Sequence, residues 1–367
     1  MITNPFLTQG YAGGEYFCDR LTETKNLRIA LANGRNVTLI SLRRMGKTGL
    51  IYHAFEELKS DCVYVDVLHT SNLQEFTIAF GKAVINQLEK PIEKSWGHLT
   101  SIFKKIQPSI KFDPLSGQPS FDLTIGTEKE AENTLEDIFN YLKKKKKAVI
   151  AIDEFQQISF YPEKKTEALI RSHIQNLQHV QFIFSGSSKH ILTSMFSEAS
   201  RPFYQSTQFL FLEAIEEKFY TEFIERHFSK SKKRLNADSI KEILDWSGHH
   251  TFYVQLFCNK LFAKTDKVVD SQLLAEVKEE ILNENESYYI NYKNLLTEQQ
   301  WNLLRAIAKE GSVIKINKKE FLSTYKLSSS TIQRAVKALE EREMIVLEKK
   351  GYRVYDVFLG RWLAEKF

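Results

Sequence analysis

The 367-residue sequence has only three cysteines, Cys18, Cys62 and Cys258, far apart, odd in number and without a C-x-x-C spacing. That excludes a disulfide framework, offers no zinc pattern and fits a reducing compartment. No apolar run reaches the roughly 18 residues that a membrane-spanning helix needs. The start, MITNPFLTQGYAGGEYF, lacks the basic stretch followed by an apolar core that marks a secretory leader. These absences predict a soluble, cytoplasmic protein with no membrane partner. A charge excess is lacking too. Fifty-one Lys and Arg stand against 46 Asp and Glu, and the net +5 neither repels nucleic acid nor announces it. No internal repeat or low-complexity segment is visible beyond five lysines, Lys143 to Lys147.

What is present is core material: 43% hydrophobic and 12% aromatic residues, in a chain long enough for two or three domains. Short β-branched runs punctuate the first 210 or so residues: NVTLIS (36–41), CVYVDV (62–67), AVIAID (148–153), VQFIFS (180–185) and TQFLFL (207–212). They alternate with amphipathic helical patterns. Nearly continuous apolar runs of this length suit central strands of a parallel sheet covered on both faces, which predicts an α/β domain. Between the second and third runs, SIKFDPLSGQPSFDLTI reads as a β-hairpin decorating the sheet. The helix LEDIFNYLKKKKK follows, and its lysines suit either a solvated helix C-terminus or a phosphate grip.

The loop SLRRMGKTGL, residues 41 to 50, follows the first strand and opens a helix. It almost spells G-x-x-x-x-G-K-[ST], in which backbone amides wrap phosphates at a helix N-terminus while the Lys and hydroxyl reach phosphate and magnesium. Gly46, Lys47 and Thr48 fill the last three places, but Ser41 stands where the first glycine belongs. That corner tolerates serine if its φ stays negative. Ser41, Arg43, Arg44, Met45, Gly46, Lys47, Thr48 and Gly49 are therefore candidate ATP contacts, with Lys47 neutralising the β and γ phosphates and Thr48 ligating Mg²⁺.

The second half of such a site is AVIAIDEFQQI, an apolar strand ending in Asp153 and Glu154. Asp153 at the strand tip is placed to hold the magnesium shell, and Glu154 to orient or deprotonate water. The bland alternative is a pair of carboxylates capping the next helix. The following strand ends FSGSS, where Ser185 and Ser187 could sense the γ phosphate or form an ordinary small-residue turn.

From residue 213 to about 287 helical periodicity takes over, predicting a helical lid domain. The remainder, 288–367, reads as three helices and a hairpin, IVLEKKGYRVYD, which is the pattern of a winged helix-turn-helix. In its third helix Ile332, Ala335, Val336 and Leu339 form the apolar stripe. Ser329, Ser330, Thr331, Gln333, Arg334 and Lys337 are candidate duplex-DNA contacts, joined on the wing by Lys349, Lys350 and Arg353. Serines that simply cap the helix, and a protein-docking role, remain open.

Six segments carry a family resemblance in order: FCDRLTETKNL, LISLRRMGKTGLI, VIAIDEFQQI, FIFSGSS, RPFYQSTQFLFL and GHHTFYVQLF. The chain resembles the archaeal-type P-loop ATPases of the AAA+/STAND group, including Bacteroidetes-like versions with the same double arginine before GKT. The likeness spans nearly the whole chain and is most specific in the ATPase core. It implies that Phe17, Arg20 and Glu23 form an opening F-x-G-R-x-x-E motif in which Asp19 replaces the glycine. It also implies a P-L-Y-G-R segment at Pro202 to Ser206 whose arginine is missing, so that Arg201 is the candidate replacement finger. Gly248 and His249 match a G-H-P stretch, with His250 in place of proline, and His249 becomes a candidate nucleotide-state contact.

The combined expectation is a doubly wound P-loop core (1–212), a helical lid (213–287) and a winged helix (288–367). Its catalytic set is Lys47, Asp153, Glu154, Ser185 and Arg201. The expected activity is ATP hydrolysis to ADP and phosphate that switches the winged helix, with DNA, a protein partner or self-association as the output. Two rivals are a slow or non-hydrolysing nucleotide switch, and a DNA-binding regulator with a vestigial ATPase core.

Overall fold

Parallel pairing of the apolar runs organises the first half of the chain. The computed structural model describes residues 4–89, 109–112, 119–122 and 124–367. They form two compact units, one of residues 10–214 and one joining residues 4–9 to 215–367.

The first unit runs, in chain order, α1 (Leu21–Ala32), β1 (Val37–Ile40), α2 (Lys47–Glu57), β2 (Asp61–Asp66), α3 (Leu73–Leu88), β3 (Ser109–Phe112), β4 (Pro119–Asp122), α4 (Glu128–Lys143), β5 (Ala148–Asp153), α5 (Thr166–Ile174), β6 (Val180–Gly186), α6 (Lys189–Ser197) and β7 (Gln208–Phe211). The five-stranded sheet has the order β2-β5-β6-β1-β7, all neighbours parallel. Every residue of β1, β5 and β6 is buried, as the unbroken apolar runs require. Alternate residues of β5 serve opposite faces. Ile150 and Ile152 pack with Phe76, Phe80 and Phe139, while Val149 and Ala151 pack with Leu27, Leu50 and Ala54. Helices therefore cover both faces and the sheet is doubly wound. The chain leaves β1 for the far edge, returns through β5 and β6, and crosses to β7, so the strand order reverses at β1. In open α/β sheets such a switch point opens a crevice beyond the strand C-termini, where ligands bind.

The expected hairpin in the insertion is present as the antiparallel pair β3 and β4, with 113–118 outside the described residues. At the end of α4, Lys145 pairs with Glu89 at 3.3 Å and lies over the Tyr141 ring, while Lys143, Lys144, Lys146 and Lys147 are exposed.

The second unit contains α7 (Glu217–Lys230), α8 (Ala237–Trp246), α9 (Thr251–Lys264), α10 (Ser271–Leu295), α11 (Glu298–Glu310), α12 (Lys319–Thr324), α13 (Ile332–Glu341), β8 (Ile345–Glu348), β9 (Gly351–Val354) and α14 (Val357–Lys366). β8 and β9 form the wing, and Val313 bridges Tyr352 along the outer edge of β9. Two features join the expected lid and winged helix. α10 runs unbroken through the 287/288 boundary placed between lid and winged helix. The C-terminal helix α14, which the sequence reading did not foresee, ties those parts together: Phe358 packs on Trp246, Trp362 on Tyr289, and Arg361 donates to the carbonyls of Asp245 and Trp246. Residues 4–9 join them because Phe6 sits among Phe223, Phe228 and Phe262, while the Asn4 side chain donates to the Asn259 carbonyl and the Asn259 side chain to the Phe6 carbonyl. Among the described residues no helix is long and apolar enough to cross a membrane.

Candidate functional site

Two left-handed residues shape the loop between β1 and α2: Arg44 (φ 61°) and Gly46 (φ 90°). Gly46 is the N-cap of α2 and brings no side chain, and no acidic residue lies in the first turn. By contrast Asn72 and Thr127 cap α3 and α4 with side-chain oxygens. No side chain of the N-cap residue closes the start of α2, and the positive end of the helix dipole there suits an anion. Ser41 keeps a negative φ, is buried, and donates its hydroxyl to the Leu42 carbonyl at 2.8 Å. The Lys47 ammonium folds back over the loop, 3.4 Å from both Ser41 Oγ and the Leu42 carbonyl. Arg20 braces the loop from outside by donating to the Met45 carbonyl at 3.2 Å while pairing with Glu23 at 2.7 Å.

The tip of β5 meets this loop directly. Thr48 Oγ1 donates to Asp153 Oδ2 at 3.1 Å, so the loop and the strand-tip carboxylate, 105 residues apart, are in hydrogen-bond contact. Two further hydroxyls hold Asp153: Tyr64 on Oδ2 at 2.7 Å and Ser185 on Oδ1 at 2.5 Å. Burial and the Asp153 charge push the Tyr64 phenol well above the ordinary tyrosine range, which keeps it a proton donor. Glu154 follows in a left-handed conformation (φ 56°, ψ 35°). Its Oε2 accepts from the Ser187 amide (3.1 Å), the Ser187 hydroxyl (2.8 Å) and the Gln156 amide (2.5 Å). Ser185 and Ser187 therefore each secure one member of the acidic pair.

Other residues singled out in the sequence take varied places. Arg43 and Arg44 are exposed, whereas the Met45 side chain is buried. Gly49 packs its Cα under Phe17, where an added Cβ would stand 3.2 Å from the ring. The Arg201 guanidinium forms a two-pronged pair with Glu167, at 2.5 and 3.1 Å, and donates to Ser159. His249 belongs to the second unit, left-handed at φ 54° and 3.5 Å from Asp245. In the winged helix, α13 begins at Ile332, so Ser329 and Ser330 lie exposed in the preceding turn, and Thr331 donates to Gln299. The stripe of Ile332, Ala335, Val336 and Leu339 is buried. Arg334 and Lys337 are exposed, Gln333 donates to Asn317 at 2.9 Å, and Lys349 and Lys350 form the exposed wing tip. Arg353 forms a two-pronged pair with Glu348 at 2.7 and 2.8 Å, which offsets its charge on the wing.

Tyr64 and Gln156 are the site residues that sequence reasoning missed. Nothing in CVYVDV marks Tyr64, because its role depends on β2 lying beside β5. Gln156 had a weak signal, a lone amide directly after the acidic pair.

A parallel sheet of this order, a phosphate loop after its first strand and an acidic pair at a neighbouring tip define a P-loop NTPase. Residues 17–257 match the ATPase domain predominantly from Archaea, and residues 287–365 match a probable winged helix domain. The chain belongs to that ATPase family. Among solved structures it is similar to the Walker-type ATPase of Pyrococcus abyssi (18% identity, TM-score 0.67, 98% of this chain and 99% of that one). It is also similar to the ORC2 protein of Aeropyrum pernix (16% identity, TM-score 0.56, 95% and 93%). At these identities the likeness is one of fold. No curated protein gives a significant match.

Proposed function

We propose that the chain binds ATP with Mg²⁺ at the 41–49 loop, hydrolyses it to ADP and phosphate, and uses the nucleotide state to switch its winged-helix domain. The observation that carries this reading is the contact of Thr48 with Asp153 beside an uncapped helix N-terminus. The A. pernix neighbour is described as ADPNP and ADP complexes, which supports a nucleotide for this fold. The α2 amides and Lys47 would cradle the polyphosphate. Thr48 and Asp153 would hold Mg²⁺, which neutralises phosphate charge during transfer. Tyr64 and Ser185 fix the Asp153 carboxylate in that task. Glu154 takes the proton of the attacking water through Oε1, since all three donors described on its carboxylate sit on Oε2.

The slow-switch reading has an observation of its own, the commitment of Arg201 to Glu167, which leaves the transition-state charge without that arginine. For the output, exposed Arg334 and Lys337 with the Lys349–Lys350 tip favour duplex DNA over a neutral partner. Phosphate release should be measured for wild type and Glu154→Gln, with and without duplex DNA. The expectation is ATP binding in both proteins, with kcat lowered about 100-fold or more in the variant, the scale of a lost general base. DNA binding should weaken steeply with salt. Equal release by both proteins would refute the assignment of Glu154.

A further inference from the structure

Gln156 is buried, yet it makes an incomplete set of bonds. Its amide nitrogen donates to Glu154 Oε2 at 2.5 Å, while its amide oxygen has no hydrogen-bond partner among the described residues. A buried, unpaired amide oxygen costs stability, so packing alone favours an apolar side chain of the same length. Chemistry fixes the amide's orientation, because an oxygen turned toward the Glu154 carboxylate would repel it.

The strand opposite makes room for this side chain. A Cβ on Gly186 would stand 1.8 Å from the Gln156 amide oxygen and 3.0 Å from its amide carbon. Gly186 has no positive φ to explain it, so what the position requires is empty space. Its neighbours, Ser185 and Ser187, hold Asp153 and Glu154 respectively. The Gly in FSGSS thus admits the amide that secures Glu154 from one side, while Ser187 secures it from the other. Glu154 itself is left-handed, a strained state for a non-glycine residue that persists only where its surroundings enforce it.

We infer that Gln156, seated against Gly186, is a positioning residue that anchors Oε2 of Glu154 and so aims Oε1 at the hydrolytic water. This rests on the proposed role of Glu154 as the base. Gln156 touches no substrate and acts only through Glu154. Its removal should lower kcat without weakening ATP binding, since misplacing a base by about 1 Å costs on the order of 100-fold.

The test is ATP turnover, ATP affinity and melting temperature for wild type, Gln156→Met, Gly186→Ala, Glu154→Gln and the double variant Glu154→Gln/Gln156→Met. Methionine keeps the length and loses both the donor and the unpaired oxygen. The expected result is kcat lowered about tenfold or more in Gln156→Met, with ATP affinity and melting temperature held or improved. Gly186→Ala should reproduce the kcat loss by pushing the same amide aside. In the Glu154→Gln background, Gln156→Met should change nothing further. Wild-type kcat in Gln156→Met, or an equal additional loss in the double variant, would overturn the inference while leaving Glu154 as the base. A Glu154→Gln protein as active as wild type would instead overturn the reading beneath it.

Discussion

Ser41 stands where phosphate loops usually carry glycine, and its geometry shows why the loop survives the exchange. The left-handed turns fall at Arg44 and Gly46, of which only Arg44 is strained, while Ser41 stays at negative φ and turns its hydroxyl back to the Leu42 carbonyl. Lys47, Thr48, Asp153 and Glu154 stood out in the sequence because the chemistry expected of them fixes both residue type and order along the chain, and the fold brings Thr48 into contact with Asp153. Tyr64 was not, because its hydroxyl reaches Asp153 only through the pairing of β2 with β5. The pairing of Arg201 with Glu167 and of Arg353 with Glu348 was hidden for a related reason: the carboxylates that meet an arginine are brought near only by the fold. Cys62, half-buried beside Asp61, has its thiol pushed up to about 11, so it stays protonated at neutral pH. Replacing Tyr64 with Phe removes one of the hydroxyls on Asp153. The expected cost is about 1 kcal/mol in denaturant unfolding. The Mg²⁺ concentration for half-maximal turnover should rise severalfold, which a Mg²⁺ titration of ATPase rate checks.

At the level of elements, helices differ in how they begin, and α2 shares its lack of a side-chain cap with α1, α5, α6, α7, α9, α12 and α13. α3, α4, α10 and α11 begin on side-chain caps, from Asn72, Thr127, Asp270 and Thr297, whereas α2 begins on bare Gly46. β1, β5 and β6 were legible because burial on both faces keeps them nearly free of polar residues, the partly exposed β2 and β7 by their β-branched and aromatic content, and the winged helix by the stripe of α13. α14 escaped notice although Asp356 caps it and Phe358, Leu359, Trp362 and Leu363 give it a buried face. Its short apolar pattern follows the hairpin without a break. The 287/288 boundary of the sequence reading falls inside α10, one residue from where the match to the winged helix domain begins. The wing depends on Gly351, at φ 112°, where a Cβ would lie 2.5 Å from the Val313 carbonyl. Gly351→Ala should therefore cost about 3 kcal/mol by strain and backbone displacement, measured as a lower denaturant midpoint. A change below about 0.5 kcal/mol, the scale of an ordinary surface substitution, would contradict that account of the wing.

On the scale of the whole molecule, the chain is an ATPase-family unit interrupting another compact unit. Residues 4–9 are assigned by Phe6 to the helices that resume at Ile215, and the P-loop fold occupies the sequence between. Sequence order suggested three consecutive domains. The packing of α14 on α8 and α10, and of Phe6 on α7 and α9, brings the expected lid and winged helix into one compact unit. The central claim is local to the first unit: a buried ammonium and the open N-terminus of α2 receive polyphosphate beside Asp153. Calorimetric titration of wild type and Lys47→Ala with ATP and Mg²⁺ tests it most directly. The account predicts saturable binding by wild type and affinity weakened about tenfold or more in the variant, since a charge-assisted contact is worth about 1.5–3 kcal/mol. Equal affinities for the two proteins would contradict it.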